Sequence, residues 1–410
     1  NTTIHIQNVS NHRTFEDPTG YHGLSEYYSR NEISLSHRST NHGSGITQLN
    51  GSADIDLPAG FVNLKGNIYK YGTNRQATAT NTSLSYLLGD NEYLIGNVYE
   101  SLETSLSGRG AKIRLGSTQR DHVVMGFIDQ NYNLFSTDPF FNDTYSFFVK
   151  GEKVLHGKPL QKILGTAVYQ RDGRELSHDV ISGGELLWRW QNRWSASLRL
   201  HGAVSQLMTD GSRKPSGSAE VRYNGETDGF NLSGNYYISS SHFPGNRKGV
   251  LSLQQSVSKR INDFSFNSNA YYSRFSPRSY VIPINTHTGN FMGNADIYFP
   301  RLMHVTFGLG YQHQYEHSNS YQQYQTEQSD LEMRANRLRG SMSWSSRKLG
   351  QSVNLSGEIG RSSNTLSDNS SKQFRTNLSY SIKWLNLMTQ YQRGSYYLSE
   401  QVSSGRGSRP

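Results

Sequence analysis

Amphipathic, strand-like segments run along the whole chain with a period of two residues. In 194–204 one face reads Trp194, Ala196, Leu198, Leu200, Gly202, Val204, and the other reads Ser195, Ser197, Arg199, His201, Ala203. Segment 230–239 sets Phe230, Leu232, Gly234, Tyr236, Ile238 against Asn231, Ser233, Asn235, Tyr237, Ser239. Segments 305–314 and 373–384 alternate in the same way. Such segments run about 9–12 residues, the length a tilted strand needs to cross a bilayer. Strands of soluble sheets average about 5–6.

The gaps between segments alternate as well. Short ones at 57–60, 89–91, 191–193, 260–263, 300–301 and 384–386 read as tight turns. Long polar ones lie at 138–144, 209–217, 241–249, 276–289, 318–336 and 362–372. In an up-and-down sheet every second connection falls on the same side, so turns collect at one rim and loops at the other. The pattern predicts an all-β fold, a closed antiparallel up-and-down transmembrane β-barrel of about 20–22 strands, the first near 3–9. No gap exceeds about 20 residues, too short for an inserted plug domain in so wide a barrel. Segment 322–337 holds helix formers but falls within a predicted loop.

Composition fits this reading. Only 34% of the residues are hydrophobic and 18% charged, while 12% are aromatic, more than a disordered chain carries. A polar interior needs only every second strand residue to be apolar. Aromatics cluster near predicted strand ends, at Tyr69 and Tyr71, Phe147 and Phe148, Trp188 and Trp190, and Tyr298 and Phe299, as two interfacial girdles would require. No run of apolar residues is long enough for a transmembrane helix. The chain starts at Asn1 without a secretory leader and reads as a mature form. It reads as one domain over 1–410, with 1–30 and 398–410 as peripheral or tail segments.

Cysteine is absent, which excludes disulfides, thiolate metal sites and Cys nucleophiles. There is no H-E-x-x-H, no G-x-S-x-G elbow and no haem-attachment motif, so neither an enzyme nor a cofactor is expected. Charge carries more information. The formal net charge is +9. The polar strand faces carry Lys65, Lys112, Arg114, Arg199, Arg222, Arg339, Arg375 and Lys383, against Asp54, Asp56, Glu220 and Glu358. Those eight cations are the expected lumen-facing basic residues, and such a lumen favours anions. The charges are dispersed, without the dense basic patch of a nucleic-acid binder.

In this layout the chain resembles a Gram-negative outer-membrane β-barrel of the porin type. The resemblance covers almost the whole length and is architectural, with no family motif to carry residue roles across. It implies residence in the bacterial outer membrane, in contact with membrane lipid and lipopolysaccharide. The function it implies is a channel passing small polar, anionic solutes through a basic lumen. The alternative is a sleeve housing a separate protein, such as a cytochrome, a plug or a secretion component.

Overall fold

The computed structural model describes residues 2–7, 31–39, 45–72, 76–155, 159–190, 193–282, 286–319, 331–346, 349–365 and 367–400, with backbone alone for 2–7 and 367–369. The elements are β1 (Thr2–Gln7), β2 (Glu32–Ser39), β3 (Gly45–Leu57), β4 (Gly60–Tyr71), β5 (Thr78–Leu88), β6 (Asn91–Ser101), β7 (Ser105–Gly116) and β8 (His122–Asp129). They continue as β9 (Tyr145–Val154), β10 (Leu160–Asp172), β11 (Ser177–Trp190), β12 (Trp194–Leu207), β13 (Arg213–Thr227), β14 (Phe230–Ser239) and β15 (Val250–Ile261). The last are β16 (Phe264–Phe275), β17 (Thr288–Tyr298), β18 (Val305–Ser318), β19 (Leu331–Ser346), β20 (Gln351–Asn364), β21 (Ser367–Ile382) and β22 (Leu385–Arg393).

All 22 strands form one sheet in which each pairs antiparallel with the next. Tight turns set the register. At Asp228-Gly229 both residues have positive φ, 49° and 75°, the conformation of a two-residue hairpin turn whose twist matches its strands. Connections 58–59, 89–90, 228–229, 262–263 and 383–384 gather at one rim. Connections 130–144, 240–249 and 276–287 gather at the other, as the alternating gaps predict. Hydrogen-bonded pairing runs unbroken from β1 to β22, and the described residues hold no pair between β22 and β1.

Two expected loops give way to strand, one of them in part. Leu331–Ser346 takes up the last six residues of 318–336 and the last seven of the helix-former segment, while 320–330 lies outside the described residues. Segment 362–372 is almost all β20 and β21, with the Ser362 and Ser371 hydroxyls 2.7 Å apart across the pair. Polar residues on both faces erase the alternation there. Lys383 falls in the β21–β22 turn rather than on a strand.

The two faces of the sheet differ sharply. Contacts that reach across several strands, such as Tyr237 on β14 to Glu103 in the β6–β7 connection, lie on one face, which is therefore concave, while connection 130–144 folds over the other face beside its own strands. The opposite face carries a belt of exposed apolar side chains, among them Leu309, Leu338 and Ile359, each about three-fifths exposed (61%, 61% and 62%). The concave face is polar over most of its extent, and the larger of its apolar exceptions is near the loop rim. There Val98, Leu106, Val124, Ile128, Phe148, Val168, Ile181 and Phe243 form a buried apolar cluster. Phe147 and Phe148 thus part company: the first is on the outer face, the second inside. All five tryptophans, Trp188, Trp190, Trp194, Trp344 and Trp384, lie beside the turn rim.

Leu338 sits at the middle of β19 on the outer belt. Leu338→Arg is expected to destabilise the chain in lipid vesicles by about 2 kcal/mol, the cost of a cation on the lipid face between the bilayer midplane and its interface. Urea unfolding in phospholipid vesicles measures it. An exposed leucine on a sheet facing water would give a change near zero.

Candidate functional site

The site is the charged inner wall, and strand register builds it. Glu185 on β11, Arg199 on β12 and Glu220 on β13 are directly opposite one another across three strands, on the concave face. Arg199 reaches Glu185 at 2.8 Å and Glu220 at 3.4 Å. Glu220, almost fully buried, also receives Arg222 at 2.8 Å and both terminal nitrogens of Arg247 at 2.9 Å. Arg247 comes from the β14–β15 loop, and its guanidinium lies 3.4 Å over the Tyr237 ring. Opposite charges at cross-strand positions stabilise the sheet, and bidentate pairing fixes the loop's orientation.

Glu103 ties a second loop to this wall. It lies in the short β6–β7 connection, yet its carboxylate accepts hydrogen bonds from the Tyr237 hydroxyl at 3.1 Å and the Ser218 hydroxyl at 3.2 Å. His201 faces its other oxygen at 3.4 Å. The backbone N–H of Asn246 donates to the Glu103 carbonyl at 3.1 Å, and the Asn246 side chain brackets Ser105. Connections 102–104 and 240–249 are thus drawn together over the inner face, above the apolar cluster that holds Phe243. Period-two reading misses this, because Glu103 and Arg247 belong to connections.

The remaining candidates fall into two groups. Lys112 and Lys150 flank Glu100 at 3.4 and 3.3 Å, and Arg114 pairs with Glu92 at 3.3 Å. Further along the same face, register aligns Asp296, Gly310, Arg339, Glu358, Arg375 and Gln392 in one row from β17 to β22. Arg339 bonds Asp296 at 3.4 Å and approaches Glu358 at 3.5 Å, while Arg375 bonds the Gln392 amide oxygen at 2.8 Å. Lys65 and Lys383 are exposed. Carboxylates on this face therefore include Glu92, Glu100, Glu185 and Asp296 in addition to those the sequence reading placed there.

A third inward segment follows β22. Residues 395–400 fold back onto β18–β21, burying Leu398 against Leu331 and Met333 and the Tyr396 ring under the guanidiniums of Arg337 and Arg375. Buried Arg337 bonds Gln314 at 2.6 Å, Gln373 at 2.7 Å and the Tyr396 carbonyl at 3.3 Å. Glu316 accepts from the Leu398 N–H at 2.8 Å. Where the sequence suggests a tail from 398, the chain is engaged through Glu400.

At the loop rim, Glu175 joins three connections. It accepts from Lys248 at 2.8 Å, the Ser279 hydroxyl at 2.8 Å and the Tyr280 N–H at 2.9 Å. Burial pushes its carboxyl up, but the lysine and the two further donors outweigh this and leave it below the usual glutamate range. His242 stacks on Tyr280 with ring centroids 4.6 Å apart. Burial first, then Arg278 and Lys248, holds its imidazole below the usual histidine range. Among the described residues no three His, Cys, Asp or Glu side chains converge on a metal-sized site.

No protein-family model matches the chain, and no curated protein does. Solved structures of similar layout include a BenF-like porin from Pseudomonas fluorescens, at 6% identity, TM-score 0.38, covering 89% of this chain and 92% of the other. Pseudomonas aeruginosa OccK2, solved with glucuronate, aligns at 10% identity, TM-score 0.32, over 89% and 92%. The P pilus usher PapC translocation pore aligns at 13% identity, TM-score 0.36, over 85% and 92%. At these scores the likeness carries no functional argument for this chain.

Glu103→Ala removes two hydrogen bonds to a charged acceptor, an expected loss of about 3 kcal/mol or more in urea unfolding, and Glu103→Gln is expected to recover part of it. The Glu175 hub has its own pH signature. Because its folded pKa is depressed, its contribution is complete above the ordinary glutamate pKa of 4.5 and is lost as pH falls below that value. Amide exchange of 276–282 is expected to accelerate only in that acid range, and Glu175→Gln to remove the acid dependence.

Proposed function

We propose that the chain closes into an outer-membrane channel for small polar solutes, with a mild preference for anions. The observation that carries this is the opposed polarity of the two faces: an apolar belt outside and cross-strand rows of charge inside. A sheet spanning a bilayer leaves no unpaired edge in hydrocarbon, which supports joining the first and last strands into a barrel. A barrel of about 22 strands is wide enough for an aqueous lumen.

The anion preference is supported by local surplus. Glu100 faces two ammonium groups, and Arg337 is held by amide and carbonyl oxygens rather than by a carboxylate. Most other inner cations are neutralised in place, so the surplus is modest and so is the selectivity. The chain's own connections 102–104 and 240–249, together with 395–400, narrow the loop end. A separate plug or cytochrome is therefore not needed to account for a restricted opening.

Reconstituted into planar bilayers, the chain is expected to give steady conductance, with a reversal potential on the anion side across a salt gradient. Lys112→Gln with Lys150→Gln is expected to move that potential towards cations. Folded protein that inserts and yet gives no current would rule out an open channel.

A further inference from the structure

On the outer face at the loop rim, β19–β22 present cations that the inner-wall chemistry leaves unused. Arg361 on β20 and Lys372 on β21 are directly opposite each other, and both are exposed. Arg393 on β22 is opposite Phe374, two residues along the same face from Lys372. None of the three has a carboxylate partner among the described residues. Like charges facing each other across a strand pair destabilise the sheet, and an anion held between them removes that cost.

The surroundings specify the anion. Level with Arg393 the same strands expose Ile359 and Phe374, and further towards the bilayer centre Leu355 and Leu387, so an anion on these cations sits at the edge of the apolar belt. Beside them Arg334 lies 5.3 Å over the Tyr315 ring and pairs with Glu332 at 3.4 Å. Arg334 also borders an open groove of about 420 Å³ floored by Tyr272, Phe291, His313 and Tyr315. Aromatic rings flanking a cation cluster fit the faces of sugar rings, and cations above an apolar belt fit phosphates that carry acyl chains.

We infer that Arg361, Lys372 and Arg393, with the adjoining aromatic groove, form a docking site for a phosphorylated glycolipid headgroup. The loop rim then faces the leaflet that contains this lipid. The inference rests on the outer face meeting membrane, as proposed above, but not on conduction.

The test titrates diphosphoryl lipid A into detergent-solubilised full chain and reads retained lipid by native mass spectrometry. Phosphatidylcholine and inorganic phosphate serve as comparison ligands. Wild-type protein is expected to retain lipid A in preference to phosphatidylcholine. The triple variant Arg361→Gln, Lys372→Gln, Arg393→Gln is expected to weaken retention about a hundredfold, at about fivefold per cation near the surface. Lys153→Gln with Lys259→Gln, on the outer face near the turn rim, should leave retention unchanged. Equal retention by the triple variant, or an equal loss in the Lys153/Lys259 variant, overturns the site. Displacement of lipid A by matched inorganic phosphate overturns the lipid and leaves a free-phosphate site. Insertion of wild type and triple variant into phosphatidylcholine vesicles is the control: failure of both there counts against the membrane reading itself, whereas normal insertion without lipid A preference sinks this inference alone.

Discussion

A strand in hydrocarbon has no water to bond, so every backbone N–H and C=O must be met by a neighbouring strand. The rest of this molecule depends on that constraint. It explains why each strand pairs with the next along the chain, and why the turns are short where the register must be exact to one residue. A slip of one position would turn every outward leucine inward and every inner cation towards lipid. Leu338 lies between Arg337 and Arg339, so on β19 the two environments are separated by a single pleat. The energetic case for a particular register is therefore strong even in strands rich in Ser and Asn.

Within this frame, the connections shape the interior. Glu103 and Arg247 meet the row Glu185–Arg199–Glu220 from above, while residues 395–400 lie on Arg337 and Gln373 across the way. Both arrangements use a buried charge with several partners, and each charge is costly to expose alone. The inner wall consequently has two different parts. Mid-strand charge faces the solute path, and loop-rim charge is consumed in holding segments in place.

Much of the fold was legible in the residues. The strands at 194–204 and 230–239 and the alternation of turns with loops follow from period two and from dipeptides such as Asp228-Gly229. What escaped has physical causes. Segment 362–372 is polar on both faces and so reads as loop, whereas residues 331–336 do alternate, Leu331, Met333 and Ala335 against Glu332, Arg334 and Asn336, but carry helix formers and adjoin a long polar gap. The inner apolar cluster lies on strands where the alternation fails, as in Val123-Val124-Met125, and that continuous run was the available signal. Arg109 was hidden for another reason. It points outward beside Asp129 at 2.7 Å, and connection 130–144 folds over it with carbonyls from Ser136, Asp138 and Pro139. No periodicity anticipates a loop that returns over the lipid-facing side.

The gathering of every tryptophan at the turn rim gives the molecule an optical polarity. Indole emission reports the dielectric around one end of the strands and is blind to the other. During insertion into a vesicle, the fluorescence change times the arrival of the turn rim alone at its interface. Quenchers confined to one leaflet would then read the direction of entry from the unmodified chain, with no label added.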